Sequence, residues 1–477
     1  MSVALARPLA TTGARELDRA FAQQRAAFAR EPYPSFEIRR DRLRRLRKIV
    51  TVHERALCEA IDRDFGRRST HETRLAELYI VEAEVRHAIA HLRRWMRPRR
   101  VATPLKLLPG TARVLPQPLG VVGVISPWNY PVQLALAPAL GALAAGNRVL
   151  LKPSEITAEI SALLKELVSA DFDDDEFAVA LGDAEIGQAF ARMPFDHLFF
   201  TGSTAVGRAI ARAAAENLTP VTLELGGKSP ALIDRDADLA LVAPRLVAGK
   251  LLNAGQTCIA PDYALVPSEN VDAFVAAVTD AARRLYPAFA DNPDYTSIIN
   301  ERHRLRLAGL VDDARAKGAR IVTLGEGDVG SRVIAPTLVV GATPEMAIMR
   351  EEVFGPLFPI ESYATLDDAI ALVNGRPHPL AFYYFGRNPA RRERVLRETL
   401  AGGVTVNDTL WHFAHEGLPF GGVGGSGFGA YHGERSFRTF SHEKSVFVQP
   451  RIAAARLLYP PYGKTFERAL ALLKRLD

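Results

Sequence analysis

Cys258 lies in a setting typical of a reactive nucleophile. It follows Gly255-Gln256-Thr257 in a predicted loop, directly after a predicted helix. A thiol reacts as its thiolate, which must be both populated and accessible. A nearby glycine lets a substrate approach the backbone closely. Cys258 is therefore a candidate nucleophile, and an unreactive loop cysteine is the alternative.

Glu224 is a candidate general base. It lies near the end of an apolar predicted strand that runs into Gly226-Gly227. A carboxylate is costly to bury there unless it is paired or used, and ligands bind at the carboxyl ends of parallel strands. Desolvation would raise its pKa towards values that suit a base. A strand end held by a salt bridge is the alternative.

Asn129 is a candidate oxyanion donor. It lies in Ser126-Pro127-Trp128-Asn129-Tyr130-Pro131, at the turn from a buried strand into a helix. The two prolines and the aromatic residues make this turn rigid, so the amide is held in place to donate a hydrogen bond. An oxyanion hole needs a preorganised neutral donor of this kind. The alternative is an asparagine that caps the next helix.

Two further motifs suit a dinucleotide. Lys152-Pro153-Ser154-Glu155 follows a strand and offers a cation and a carboxylate to a ribose. Glu155 would repel a 2′-phosphate, which favours NAD and leaves NADP possible. Residues 200–207 are mostly small and lead into a helix, whose first backbone N–H groups could face a pyrophosphate. Residues 422–427 spell G-x-G-x-x-G but lack the flanking strand and helix, so we predict a glycine-rich loop.

The elements that position these residues alternate between strand and helix. Residues 14–96 have the apolar spacing of helices, with a first basic cluster at 39–48. Uninterrupted apolar strands then alternate with helices up to residue 225, which predicts a parallel sheet covered on both faces in a doubly wound α/β fold. A second α/β unit follows Gly226-Gly227. We also predict a strand at 445–449 and a tail helix at 466–476, whose apolar face would dock on the body or on a partner.

Composition narrows the class of protein. A chain of 477 residues predicts two or three packed units. The net charge is +6, but the apolar spacing at 39–48 places the arginines on a solvated helix face rather than on a nucleic-acid site. Two cysteines cannot build a disulfide framework or a four-cysteine zinc site. No apolar run can span a bilayer. We expect a cytoplasmic protein with no membrane, nucleic-acid or metal partner.

Taken together, the motifs resemble the aldehyde dehydrogenase superfamily. Residues 403–408 look like the class 3 branch, and residues 253–263 and 458–463 look like coniferyl aldehyde dehydrogenases within it. Gly425 departs from that branch, which more often has proline there. The motifs that carry the resemblance are residues 127–131, 152–155, 200–204, 224–230, 255–258, 351–356 and 419–427.

The resemblance implies NAD(P)-dependent oxidation of an aldehyde to its acid. Cys258 would attack the aldehyde carbon, and the Asn129 amide and the Cys258 N–H would hold the oxyanion. After hydride transfer, Glu224 would activate the water that hydrolyses the thioester. The cofactor residues would be Lys152 and Glu155 at the adenine-side ribose, Gly202, Ser203 and Gly207 at the pyrophosphate, and Glu352 and Phe354 at the nicotinamide end. Ser154 and Leu225 would be further cofactor-binding residues.

The family also implies a division of the chain. Residues 1–225 would form a Rossmann-like NAD-binding domain, with a protruding hairpin at about 97–115, and residues 226–420 would form the catalytic domain. Residues 421–477 would be a return segment with an oligomerisation strand and the tail. The hairpin would pair with the 445–449 strand of a partner subunit, which predicts a homodimer. A monomer in light scattering at micromolar concentration would contradict it.

Substrate choice is less constrained by the sequence. Tyr130, Trp411, His412 and Phe413 could line a tunnel that accepts aromatic groups, with ordinary core packing as the alternative. Coniferyl or a related aromatic aldehyde is the expected substrate, and benzylic, medium-chain or long-chain aliphatic aldehydes are the alternatives. An acylating enzyme, which passes the acyl group to coenzyme A, needs no base at Glu224. A non-catalytic binding protein on the same fold would be expected to lack Cys258 or Glu224.

Overall fold

The computed structural model describes residues 11–326, 331–451 and 453–475. Residues 1–10 of the predicted first domain and the last residues of the predicted tail helix, from Leu476, lie outside this range. The strands are β1 Arg99–Val101, β2 Thr111–Pro118, β3 Val121–Ile125, β4 Arg148–Lys152, β5 Phe177–Val179, β6 His197–Gly202, β7 Val221–Leu225, β8 Pro230–Ile233, β9 Tyr263–Pro267, β10 Arg320–Thr323, β11 Thr337–Val340, β12 Leu357–Tyr363, β13 Ala381–Phe385, β14 Gly403–Val406, β15 Gly427–Phe428 and β16 Ser441–Val448.

Helices cover these strands and form the N-terminal region. They are α1 Ala14–Arg30, α2 Phe36–Val52, α3 Glu54–Phe65, α4 Thr70–Thr73, α5 Ile80–Trp95, α6 Gln133–Ala145, α7 Ala158–Asp171, α8 Ala184–Ala191, α9 Thr204–Ala215, α10 Leu239–Leu251, α11 Val271–Leu285, α12 Glu301–Ala316, α13 Ala347–Arg350, α14 Leu366–Asn374, α15 Pro389–Glu398, α16 Trp411–Ala414, α17 Gly433–Thr439 and α18 Lys464–Leu473. A π-helical segment, Arg74–Tyr79, joins α4 to α5.

Two sheets carry the elements of the predicted site. The first has the order β15-β7-β6-β3-β4-β5, and the second has the order β10-β11-β12-β9-β8-β13-β14. Neighbours are parallel throughout, except that β15 runs antiparallel to β7 and β10 antiparallel to β11. The doubly wound α/β prediction is confirmed for the first sheet, and the second α/β unit is present.

Helix α6 is buried on every side. It is apolar around its whole circumference, as expected for a helix enclosed by other elements. One side faces β3 and β4, and the other faces α2, α5 and α17. This enclosure fixes the turn before α6, which carries Asn129.

The basic cluster on α2 is only partly solvated. Arg39 and Arg42 are buried, so the prediction that the arginines of this cluster face solvent is wrong for these two. Arg39 donates to the Ala145 carbonyl at 2.6 Å, and Arg42 pairs with Glu176 at 3.0 Å. Their partners belong to segments more than one hundred residues away, which the local helical pattern does not contain.

The third sheet is small and antiparallel, with the order β1-β2-β16. Strand β16 pairs with β2 of the same chain, with Ser445 opposite Val114. We predicted that this strand pairs with the hairpin of a partner subunit. That pairing is wrong, because β16 pairs with β2 of its own chain.

The C-terminal helix α18 lies on the surface. Phe466, Leu470 and Leu473 are half-buried along one face, as the spacing predicted, and no residue of the helix is fully buried. Among the described residues, no helix is both long and apolar enough to cross a membrane.

Candidate active site

The loop before Cys258 has an unusual backbone. After α10 ends, Asn253 and Ala254 both adopt left-handed conformations, with φ of 53° and 51°, and Gly255 follows at φ 74°. Such conformations cost roughly 1–2 kcal/mol for a residue with a side chain. A Cβ at Gly255 would lie 2.4 Å from the Gly355 carbonyl oxygen, so only glycine fits there. The chain thus turns sharply just before the cysteine.

Hydrogen bonds hold this loop in place. Glu72 Oε2 accepts from the Asn253 backbone N–H at 3.0 Å. The Gln256 side chain donates to the carbonyls of Asn253 and Ser297, both at 3.0 Å, and accepts from the Ile299 N–H at 2.9 Å. Each polar atom of Gln256 is therefore engaged, and the strained loop is fixed by its neighbours rather than by local preference.

Asn129 lies against the same loop. Its Nδ2 donates to the Gln256 carbonyl at 3.1 Å, and its own carbonyl accepts from Arg68 at 2.9 Å. It does not cap the next helix, because Glu77 accepts from the first N–H groups there, that of Val132 at 2.7 Å. The helix-cap alternative is thus not what the structure shows. An amide carries two N–H bonds, and one of them orients this side chain.

Glu224 is buried and unpaired. It lies on β7, opposite Thr201 of β6 and Gly427 of β15. It is 2% exposed, and neither carboxylate oxygen has a hydrogen-bond partner among the described residues. Burial raises its pKa well above its usual value. The salt-bridge alternative is not seen here.

Strand β15 explains how Glu224 is enclosed. Gly427 has φ 126°, and a Cβ there would lie 1.9 Å from the Leu223 carbonyl oxygen. Only glycine lets the return segment approach β7 this closely. The G-x-G-x-x-G sequence is therefore a turn followed by a two-residue edge strand, in agreement with the prediction that it is not a dinucleotide fingerprint.

One cavity of about 820 Å³ brings the candidate nucleophile and base together. Cys258 and Glu224 both line it. Burial, with the nearby carboxylates of Glu352 and Glu224, raises the pKa of Cys258 to about 12. The backbone N–H groups of Cys258 and Ile259 act in the opposite direction. The thiol is therefore protonated at neutral pH before a ligand binds.

The predicted substrate residues divide into two groups. Tyr130 lines the cavity and shares a 2.7 Å hydrogen bond with Thr257, and Trp411, which is 64% exposed, lines its outer part together with Phe413. His412 does not line it. The His412 ring is buried against Thr405 at 2.8 Å, and burial lowers its pKa to about 4. We do not retain it as a substrate contact.

The cavity residues that the sequence reasoning missed include three buried polar ones, Glu84, Gln133 and Tyr431. Glu84 lies among the buried apolar positions of α5, and Gln133 is the one polar residue of α6. A polar residue inside an apolar helical face is a signal that could have found both. Tyr431 has no comparable signal in the sequence.

The residues predicted at the adenine-side ribose and pyrophosphate lie at the carboxyl ends of β4 and β6, the two strands on either side of β3. Lys152 is the last residue of β4, and its ammonium group donates to the Glu155 carboxylate at 2.8 Å. The Ser154 hydroxyl accepts from the backbone N–H of Ile156. Ser203 follows Gly202, the last residue of β6, and caps α9. The structure therefore places these residues along one edge of the first sheet, where ligands bind in open α/β folds.

Gly207 and Leu225 explain the close packing of α9 on β7. A Cβ at Gly207 would lie 2.6 Å from the Leu225 side chain. A larger residue would push the first turn of α9 away from the strand. The two residues thus set the position of the helix N-terminus, which we predicted to face the pyrophosphate.

Glu352 and Phe354 lie next to the end of β7. A Cβ at Gly226 would lie 2.0 Å from the Glu352 carboxylate, so this glycine makes room for it. Burial and the charge of Asp262 raise the pKa of Glu352 to about 8. Phe354 has φ 47° and packs edge-on against Trp128 at 5.4 Å. Glu352 therefore adjoins the end of β7, and Phe354 adjoins the turn that carries Asn129.

Comparisons with known proteins agree with this arrangement. A model of the aldehyde dehydrogenase family matches residues 6–446, and the chain belongs to that family. It is 51% identical over 454 residues to a probable coniferyl aldehyde dehydrogenase of Pseudomonas aeruginosa, with 95% of each chain covered. This confirms the predicted family and the enzyme class, an oxidoreductase acting on aldehydes.

Solved structures give the same result for the fold. Staphylococcus aureus AldH in a substrate-bound state matches with a TM-score of 0.92 and 39% identity, covering 96% of this chain and 99% of that one. The P. syringae indole-3-acetaldehyde dehydrogenase AldA, in complex with NAD+, matches with a TM-score of 0.83 and 26% identity, covering 92% and 90%. The aldehyde dehydrogenase fold is confirmed, and a nicotinamide cofactor is supported.

Proposed function

We propose that this enzyme oxidises an aldehyde to its carboxylic acid through a covalent bond to Cys258. The observation that carries the proposal is that Cys258 and an unpaired, buried Glu224 line one cavity. A nucleophile and a base enclosed together can divide one difficult oxidation into two easier steps.

The first step is attack of the Cys258 sulfur on the aldehyde carbon. The thiol gives up its proton to water in the cavity, and the thiolate sulfur then forms the bond to the aldehyde carbon. The oxyanion of the resulting thiohemiacetal accepts hydrogen bonds from the Cys258 N–H and from the second N–H of Asn129. These donors are held before the substrate arrives, which is what makes an oxyanion hole effective.

The cofactor fits the edge of the first sheet. Lys152 and Glu155 are placed to hold the ribose hydroxyls, and the capped N-terminus of α9 suits a pyrophosphate. Ile156 and Val206 expose 38% and 48% of their apolar surface there, which suits the flat adenine ring. When bound, NAD or NADP supplies the acceptor for the hydride that leaves the thiohemiacetal. The Glu155 carboxylate favours NAD.

The second step is hydrolysis of the thioester on Cys258. Ionised Glu224 takes a proton from water as the water oxygen adds to the thioester carbonyl. The C–S bond then breaks, which releases the carboxylic acid and leaves the Cys258 thiolate, and the thiolate is protonated again from solvent. An acylating enzyme would pass the acyl group to coenzyme A instead. A product that forms only with coenzyme A would overturn this step.

Aromatic aldehydes of the coniferyl type are the proposed substrates. Tyr130, Trp411 and Phe413 offer aromatic surface to a flat substrate, and the similar P. aeruginosa protein bears that name. Medium-chain and long-chain aliphatic aldehydes are the second candidate, because the cavity is large and mostly apolar. A non-catalytic binding protein is disfavoured, since both reactive residues are present.

The test is a panel of aldehydes assayed with NAD and with NADP. We expect acid formation, a higher kcat/KM for cinnamaldehydes than for aliphatic aldehydes of similar size, and a preference for NAD. Similar kcat/KM values across the panel would reject the aromatic assignment and leave the oxidation chemistry standing.

The domain division and the homodimer remain proposals. The first sheet falls within residues 1–225 apart from β15, and the second within 226–420. We propose the boundaries 1–225, 226–420 and 421–477 on that basis. The outer edges of β16 and β14 have no strand partner among the described residues, and free edges favour pairing between subunits. Light scattering should give the mass of a dimer, and the mass of one chain would reject it.

A further inference from the structure

The inner wall of the cavity carries three buried polar groups from separate segments. Glu84 on α5, Gln133 on α6 and Tyr431 before α17 are 5%, 1% and 0% exposed, and all three line the cavity. Glu84 Oε1, Gln133 Nε2 and the Tyr431 hydroxyl make no hydrogen bond of good geometry among the described residues, although Tyr431 lies beside Gln133 and Glu84 Oε1 lies 3.3 Å from His432 Nε2. These groups thus present polar atoms with remaining hydrogen-bonding capacity to one space.

Such groups are costly to leave unsatisfied. A buried donor or acceptor without a partner loses its hydration and gains nothing in return. Native proteins keep few of them, and each one calls for an explanation. Here the three atoms face a cavity whose other walls are largely apolar, so a bound group can satisfy them together.

The surroundings of Glu84 show which group fits. His432 Nε2 lies 3.3 Å from Glu84 Oε1, and its ring contacts the Tyr431 ring at 4.4 Å. Burial lowers the pKa of His432 to about 3, and burial with the nearby Glu416 raises the pKa of Glu84 to about 8. Both side chains are therefore uncharged at neutral pH. A protonated carboxyl both donates and accepts, as a tyrosine hydroxyl does.

This wall is continuous with the reactive residues. The pKa of Tyr431 is raised by burial and then by the ionised forms of Glu224, Glu84 and Cys258, while its side-chain interaction with Gln133 acts in the opposite direction. Tyr431 is thus close enough to feel both the polar wall and the reacting groups. A substrate joined to Cys258 can reach the polar wall with a more distant part of its own structure.

We propose that Glu84, Gln133 and Tyr431 form a subsite for an uncharged hydroxyl group that the aldehyde carries away from its carbonyl. The hydroxyl accepts from Gln133 Nε2 and exchanges hydrogen bonds with Glu84 and Tyr431. The Glu416 carboxylate on the same cavity disfavours an anionic group. The subsite rests on the proposed function, since it selects among substrates of that reaction.

The test compares 4-hydroxycinnamaldehyde with cinnamaldehyde, which differ only in the hydroxyl. In the unmodified enzyme kcat/KM should be higher for the hydroxylated aldehyde. Y431F and E84L should each lower that kcat/KM about 3- to 10-fold, the range for one lost hydrogen bond, and leave cinnamaldehyde within about twofold. E84Q, which can still donate and accept, should retain most of the preference.

The chain offers a matched control on the same helix. Glu82 lies two residues before Glu84, outside the cavity, and pairs with Arg47 at 2.7 Å. E82Q should leave the ratio of the two kcat/KM values unchanged. The melting temperatures of Y431F and E84L should not fall, because each loses an unsatisfied polar atom.

The possible results distinguish a failure of the subsite proposal from a failure of the proposed reaction. If the ratio of the two kcat/KM values in Y431F and E84L equals that of the unmodified enzyme, the subsite is overturned and the proposed oxidation is not. Equal losses for both aldehydes would also overturn it, because they would show a packing effect. An unmodified enzyme that oxidises neither aldehyde, nor any other in the panel, would overturn the proposed function itself. If E84L does not fold, the Y431F ratio decides.

Discussion

Replacing Cys258 with alanine is expected to abolish aldehyde oxidation, with kcat at least about 10⁴-fold lower. No other described residue offers a nucleophile with both access to the cavity and the adjacent backbone donors. The assay is NAD(P)H absorbance under saturating aldehyde. C258S should be nearly as inactive, because a serine hydroxyl ionises far less readily than a thiol.

The second cysteine provides the control for this prediction. Cys58 is buried on α3 and does not line the cavity, so C58A should retain most of its activity. A C258A enzyme within tenfold of the original rate would reject covalent catalysis at this position. An unchanged melting temperature in C258A would show that the loss is chemical, since the side chain is only partly buried.

Replacing Glu224 with glutamine should stall the enzyme after the hydride step. We expect one rapid equivalent of NAD(P)H per active site, followed by turnover about 10²- to 10⁴-fold slower, which is the range for loss of a general base. Intact-protein mass spectrometry should detect the acyl group on the stalled chain. E176Q is the control, because Glu176 is a carboxylate paired with Arg42 and Arg45 outside the cavity.

The pH dependence of Glu224 gives a second measurement on the same variant. The native pKa is raised well above the ordinary value, so the folded state holds a proton that the unfolded state releases. Stability should therefore fall as pH rises from about 4.5 towards the native pKa, and E224Q should remove part of that fall. Hydrolysis should accelerate over the same rise in pH. No burst in E224Q, or steady turnover at the original rate, would reject the assignment.

The parts of the fold that depend on neighbouring residues in the sequence could largely be predicted. Strands β3 to β7 lie within the predicted alternation of strands and helices, because their apolar runs end at glycine, proline or polar residues. The burial of Arg39 and Arg42 could not be predicted, since it depends on acceptors in distant segments. Strand β15 has only two residues and exists because Gly427 fits against β7, which no sequence period encodes.

The site shows the same limit. Cys258, Glu224 and Asn129 lie at strand and helix ends, where position alone suggests chemistry. Trp411 and Phe413 line the cavity but His412 between them does not, because its ring is hydrogen-bonded to Thr405 instead. The Glu84, Gln133 and Tyr431 cluster joins three segments, so only the folded chain brings it together.

Gly427 is synthesised long after Glu224, and this order determines when the reactive site is completed. Domains fold as units and N-terminal segments emerge first, so the sheet that holds Glu224 can assemble long before residue 427 leaves the exit tunnel. Until then the β7 edge stays open to water and Glu224 stays hydrated, with an ordinary carboxylate pKa. The reactive pair is therefore enclosed only after Gly427 has been synthesised and paired with β7, and a chain that stops before residue 427 cannot enclose it.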